Sequence, residues 1–553
     1  MKIRADIIKT GKNLHTWVGI SAGILLFICF FAGGLTMFQH HLSQWATPPQ
    51  QKLAAIQPHQ YNQLVEQVQA KFPETRKAFS LNFSSPEGHN APIQWEATHE
   101  EQEDHHGIDI AQTSMMATLD KHGQLITIEE NLSKLGWLIE QLHETAAIPG
   151  MIGHHTAGVM VMGVVAVLYF LAIMSGLIVL LPTLISDYFV VRKGKNKKRF
   201  WLDTHNVIGI TSLPFHIIIS VTVVVFAFHD IFYGALNQLV SKDKPLFERP
   251  PAVKIVGSVQ QLDVEKVFLN IQKAAPDYRI DAIRFNQLDQ PERASAFVAL
   301  YHPDRMLRGD TFDYMTFNPY QNTPYPTKTL STEESSAASI IRSMFALHFG
   351  NYGGEPIRWI YLIFGLGGAY LFYSGNILWI ETRLRKQKNL NLPAPQQRKE
   401  VMFIANLTIG ACLGCMLAIF TSMLVGRWAY VIPLQLQSHN HVFMYSYYFV
   451  FIACILYSFI IGAAKALPQL FLAIATILFL IPLTSVLAYL FPIQGLWFST
   501  DMLIWIDITA LVFALLFIRF YQQAKDRAHV APAGSMWSIH KADQVQPLTE
   551  NQA

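Results

Sequence analysis

Leu14-His15-Thr16-Trp17-Val18-Gly19 opens the first long apolar run of the chain. Thr204-His205-Asn206-Val207-Ile208-Gly209 opens another one far downstream. A second pair of histidines behaves alike: His143 in Leu142-His143-Glu144 and His348 in Leu347-His348-Phe349-Gly350 each precede an apolar run. Ionisable groups at membrane depth are costly and usually functional, and imidazole is the commonest metal ligand. The two pairs are separated by nearly equal lengths of chain. An apolar run, a long polar segment and a second apolar run therefore occur twice, and this duplication decides the reading of the fold.

Composition agrees with a membrane protein. The chain is 51% hydrophobic and only 15% charged, against about 25% charge in ordinary soluble domains. Its apolar runs reach the length of about 20 residues that crosses a bilayer. Eight spans are predicted, over 15–40, 153–182, 205–232, 356–380, 402–426, 441–463, 467–491 and 502–520. The basic N-terminus and the run from Val18 to Phe38 look like a signal peptide, but the run is too long and lacks a small-residue cleavage site, so a retained anchor is expected. Four cysteines cannot staple so long a chain. Cys412 and Cys415 form a Cys-x-x-Cys inside a span and are read as packing residues, as are Cys29 and Cys454.

Basic residues sort the loops. Lys2, Arg4, Lys9 and Lys12 precede span one, and Arg192, Lys193, Lys195, Lys197, Lys198 and Arg199 follow span two. Arg383, Arg385, Lys386 and Lys388 follow span four, and Arg519, Lys525 and Arg527 mark the C-terminal exit. The alternate short loops hold only Arg427. The positive-inside rule then puts both termini in the cytoplasm and the two long segments outside.

Those segments, 41–142 and 233–347, each read as a small α+β domain. The first has a helix over Tyr61 to Lys71, then alternating runs at 78–83, 93–97 and 116–120 and a turn before Leu125-Ile126. The second has a helix over Val264 to Ala274, then runs at 280–285, 296–301 and 314–318. Period-two alternation between turn residues marks strands. The expected division is span one (1–40), a first outer domain (41–142), spans two and three (143–232), a second outer domain (233–347) and span four (348–385). An appended four-span bundle (386–525) and a tail (526–553) follow. Parallel repeats of this kind are related by an axis along the membrane normal.

In that topology His15 and His205 share the inner face, and His143 and His348 the outer one. Each pair takes one residue from each half. A haem iron takes two axial ligands, and imidazoles from two helices can supply both. Gly19, Gly23, Gly209, Gly350, Gly353 and Gly354 lie within a few turns of these histidines and permit close approach. His154 and His155, at the start of span two, compete with His143. His216 follows Pro214 and lies roughly 16 Å along a straight helix from His205. It serves either centre, or satisfies a carbonyl freed by the proline. His40, His41 and His229 lie at outer span ends, where they line an outer haem or bind headgroups, and His439 and His441 read as interfacial. Arg358 suits a propionate carboxylate. The run Glu100, Glu101, Glu103, Asp104, His105, His106 reads as a solvated loop. No Gly-rich dinucleotide or phosphate-binding motif is found, so electrons must come from quinol or a separate cytoplasmic reductase.

The same stretches resemble the PepSY-associated transmembrane family, which includes inner-membrane ferrisiderophore reductases. Besides those quoted, Ile148-Pro149-Gly150 with Gly153, Asp203 ahead of Thr204, and Gly353-Gly354-Glu355-Pro356 through Arg358-Trp359 carry the likeness, over about residues 8–385. It implies PepSY-like outer domains, two b-type haems and outward electron transfer in a bacterial inner membrane. It also implies ligand roles for His15 and His205 at an inner haem, and for His143 and His348 at an outer one. The expected activity is that of an oxidoreductase acting on a periplasmic ferric siderophore or other iron(III) chelate. Its surroundings are the lipid bilayer, and nucleic acid is not expected as a partner. Two other readings compete: a membrane scaffold with structural histidines, and a transporter of iron or siderophore.

Overall fold

The computed structural model describes residues 3–49, 53–83, 91–96, 113–130, 132–152, 155–187, 190–192, 197–229, 231–232, 238, 261–307, 312–321, 324–328, 330, 336–385, 395–432, 438–532 and 535–540. These residues form two compact units. One comprises 1–48, 133–227 and 362–553, and the other 49–132 and 228–361.

The first unit is helical. It contains α1 (Ala5–Thr36), α2 (Gln39–Trp45), α4 (Leu135–Thr145), α5 (Ala157–Leu180), α6 (Lys197–Thr211) and α7 (Leu213–Ala227). Most of α10 (Gly354–Arg383) follows, then α11 (Lys399–Thr408), α12 (Gly414–Trp428), α13 (Asn440–Ile461), α14 (Ala463–Leu490) and α15 (Ile504–Val530). Among the described residues, seven helical stretches are long and apolar enough to cross a membrane, or eight if the bent pair α6 and α7 is one span. The chain is thus a multi-pass helical membrane protein with a separate antiparallel sheet. The last spans pack internally: Gly410 and Gly414 lie against α13, where a Cβ at Gly414 would meet that of Cys454 at 2.8 Å. All four cysteines are buried and unbridged.

Span three departs from the straight helix expected. It bends by 69° between α6 and α7. Pro214 lacks an N–H and its ring crowds the carbonyl of residue 210, which breaks the helical ladder here. The 16 Å spacing of His205 and His216 therefore does not apply, because a bent path brings the two ends closer than a straight one.

The second unit holds α3 (Tyr61–Lys71), α8 (Val264–Ala274), α9 (Ser336–Phe349) and seven strands. These are β1 (Phe79–Asn82), β2 (Ile93–Glu96), β3 (Ser114–Leu119), β4 (Leu125–Glu130), β5 (Arg279–Asn286), β6 (Ser295–Tyr301) and β7 (Asp313–Phe317). The helices and strands of both outer segments stand where their alternation predicts. The division into two separate domains needs correcting, because the seven strands form one antiparallel sheet in the order β4-β3-β2-β1-β5-β6-β7. The seam is β1 against β5, with Phe79 opposite Phe285 and Leu81 opposite Ile283. An isolated meander would leave β1 and β5 as open edges; pairing them satisfies both ladders. One core runs across the seam, from Leu64 and Val68 through Leu81 and Ile283 to Val298 and Met315. The two helices are also tied. Asn62 accepts from the Val264 backbone N–H at 2.8 Å and donates to Asp263 at 3.0 Å, and Asp263 caps α8 through the Lys266 N–H.

Candidate functional site

Four helices of the first unit bring His15 and His205 together. Their ring centres are 6.2 Å apart and their planes are near perpendicular. Two imidazoles on opposite sides of one metal, at about 2 Å per metal–nitrogen bond, have ring centres roughly 6 Å apart. The observed spacing fits.

The outer nitrogens set the tautomers. His15 Nδ1 lies 2.8 Å from the Ala172 carbonyl of α5, which can only accept, so Nδ1 carries the proton. His205 Nδ1 lies 2.9 Å from Ser374 Oγ of α10. That hydroxyl spends its proton on the Leu371 carbonyl, so it accepts from His205. Each ring is left with its lone pair on Nε2, the arrangement that tethered metal-binding histidines adopt. Glycine makes room for the rings. A Cβ at Gly176 would stand 2.9 Å from His15 Cε1, and one at Gly375 would stand 3.7 Å from His205 Cε1. Beside Gly19, one turn beyond His15, there is open space.

Arg192, ahead of α6, and Arg199, in the first turn of α6, converge on Asp203. Asp203 is 2% exposed. It accepts from the Arg192 side chain and backbone at 3.0 Å each and pairs with Arg199 at 3.0 Å. Next to it, Thr204 and Tyr370 join hydroxyls at 2.7 Å. Both α6 and its histidine are thereby fixed in rotation.

His143, on α4, sits against α1. Its Nδ1 bonds the Cys29 carbonyl at 2.9 Å, and its ring lies where a Cβ on Gly33 would come within 2.5 Å. His155 belongs to a two-residue hairpin strand paired with Met151-Ile152, and His154 lies outside the described residues. The separation of His143 from its span is explained: α4 and this hairpin intervene before α5. His348 lies in the second unit near the end of α9. Arg342 of the same helix makes a buried ion pair with Asp313 of β7 at 2.6 Å, to which Tyr278 also donates. Arg358 pairs with Glu355 at 3.3 Å. The acidic run at 100–106 lies outside the described residues.

His216 is 3% exposed and neither ring nitrogen has a hydrogen-bond partner. The expectation that it satisfies a carbonyl freed by Pro214 is therefore not met. Phe30, Tyr169 and Phe215 surround it, with ring centres 5.6, 6.0 and 5.3 Å away. The Tyr169 hydroxyl is likewise buried without a partner. Leaving such groups unpaired costs about 1–3 kcal/mol each.

Sequence reasoning passed over a second polar centre. Arg427 is fully buried, its guanidinium 4.5 Å from the Trp45 ring centre and 4.7 Å from that of Trp497. It donates to Ser485 at 2.9 Å and to the Trp497 carbonyl. Ser485 donates onward to Asp507 at 2.7 Å, and Trp45 donates to the other oxygen of Asp507 at 3.2 Å. Arg427 and Asp507 were visible as ionisable residues in apolar surroundings, and that was the signal for this cluster.

Among the described residues no three of His, Cys, Asp and Glu stand close enough to hold a bare metal ion. A flat group that brings its own equatorial donors needs only the two imidazoles seen at His15 and His205. A family model described as the PepSY-associated TM region matches residues 12–382. No curated protein matches the chain.

Proposed function

The chain belongs to the PepSY-associated transmembrane family, and from that premise we propose that it carries electrons across a bacterial inner membrane through two b-type haems to an iron(III) chelate, such as a ferric siderophore, outside. The supporting observation is the His15–His205 pair: two imidazoles from duplicated helices, 6.2 Å apart, each with Nδ1 tied back. These two residues would hold the inner haem. On the sequence alone, His143 and His348 would serve the outer one, with His154, His155 and His216 as the other candidates. Bound there, haem supplies a reversible one-electron carrier.

The chain's own residues orient its ligand rings. Ala172 and Ser374 hold the ligand rings in the right tautomer, and Gly176 admits one ring to close range. The rings of Phe30, Phe215 and Phe372 pack together beside His216. Quinol or a cytoplasmic reductase supplies the electrons. Reduction releases the metal because hard oxygen donors bind iron(II) less well than iron(III).

The test is spectroscopic. Full-length protein produced with ample haem is purified and quantified for haem, with two per chain expected. It is then reduced and exposed to ferric chelates, which should reoxidise it. His15→Ala and His205→Ala should each lose the same one of the two haems. A colourless protein ends this reading and leaves a scaffold or a transporter; a transporter would move ligand without haem.

A further inference from the structure

Helix α4 is held at both ends, and at each end one of the partners lies beyond the family-matched region. An α-helix begins with backbone N–H groups that lack partners within the helix. At the start of α4 four successive ones are satisfied. Ser133 N–H donates to Thr47 Oγ1 at 2.9 Å, Lys134 N–H to Asn440 Oδ1 at 2.9 Å, Leu135 N–H to Ser133 Oγ at 3.1 Å and Gly136 N–H to Ser43 Oγ at 2.9 Å. Asn440 opens α13 of the appended bundle. At the other end of α4, Ala146 and Ala147 take positive φ of 49° and 65°, a left-handed conformation that side chains resist. Tyr448, two turns along α13, donates to the Ala147 carbonyl at 3.4 Å. One helix of the bundle thus grips both ends of α4. The Arg427–Ser485–Asp507 cluster holds Trp45 of α2, and α2 lies against α4 through Ser43 and Gly136.

We propose that the appended bundle is the mounting for His143, with Asn440 and Tyr448 as positioning residues that set where its ring stands against Gly33 and Cys29. The ligand role of His143 rests on the function proposed above; the grip on α4 does not. This gives spans five to eight a task that the four-span core cannot perform for itself.

Two measurements on the full-length protein decide it. Hydrogen exchange at residues 133–148 should quicken about five-fold in Asn440→Ala, the scale of a lost helix cap. Exchange should return to the original rate in Asn440→Asp, which keeps an acceptor. Tyr448→Phe should quicken exchange near residue 148 by a smaller factor, about two-fold. In a redox titration, Asn440→Ala should shift the midpoint of the haem that His143→Ala abolishes and leave the His15-dependent haem in place. Unchanged exchange in Asn440→Ala overturns the proposal, and so does an equal shift of both haems. If the protein binds no haem, the proposed function fails while the exchange result still decides whether the bundle grips α4.

Discussion

Helices α4 and α9 occupy matching places in the duplicated plan, each carrying a histidine just ahead of a span, yet they are anchored by opposite chemistry. Neutral hydrogen bonds from α2 and α13 hold α4. A buried ion pair, with Arg342 4% and Asp313 0% exposed, is central to the hold on α9, beside hydrogen bonds from Arg342 to the Met306 carbonyl and from Tyr361 to the Leu347 carbonyl. Many small neutral contacts fail gradually, whereas a buried charge pair fails at once when either partner is lost, because the survivor is stranded. The halves share a plan without sharing its energetics.

The largest expected effect breaks α9. Arg342→Ala leaves Asp313 charged and buried and should destabilise the sheet unit by about 3–5 kcal/mol, read from denaturant unfolding. Replacing both partners with apolar residues of similar volume should recover most of that loss. A cost for Arg342→Ala no larger than that of Asn440→Ala would erase the contrast. Next comes Gly33→Val, which drives a side chain into the space of the His143 ring. It should cost about 1–3 kcal/mol and disturb the His143-dependent haem while sparing the other. Ser374→Ala removes the hydroxyl that accepts from His205 Nδ1 and donates to the Leu371 carbonyl. It should weaken haem retention at the inner site about 10-fold, within the range for lost outer-shell partners, measured by haem loss to an acceptor protein.

The smallest effect concerns pH. The Asn62 amide beside Asp263, with the Lys266 backbone N–H, holds this carboxyl below its ordinary range. A group depressed on folding adds stability above its unfolded pKa, about 3.9 for Asp. That stability is lost as pH falls through the lower folded value. The sheet unit should therefore soften below about pH 4, and Asp263→Asn should flatten that part of its stability profile by less than about 1 kcal/mol. A profile unchanged by the substitution would remove Asp263 from the ties that join the two halves.

Local order was legible in the sequence. Tyr61–Lys71 and Val264–Ala274 read as helices to the residue, because helix signals are local. The strands were found from their alternation to within a residue or two at most ends, with β4 read only at its start. The β1–β5 seam was not legible, since alternation marks a strand but not which distant strand completes it. Pro214 was visible in span three, but the 69° bend beside it was not read, because its size depends on packing. Of the site, the recurrence of His15 and His205 was enough to pair them. Their partners Ala172 and Ser374 were hidden, because a carbonyl and a serine within apolar spans carry no distinguishing mark. The grip of Asn440 on Lys134 joins residues far apart in the chain, which no local pattern encodes.

The shared sheet also bears on how the protein is made. Strand β1 is complete when residue 82 leaves the ribosome, but the strand that covers its edge starts only at Arg279. At synthesis rates of about 5–20 residues per second, that edge waits roughly 10–40 s. For this interval the first half of the sheet presents an open ladder to whatever chain is nearby, and the growing polypeptide must be kept from pairing with the wrong one.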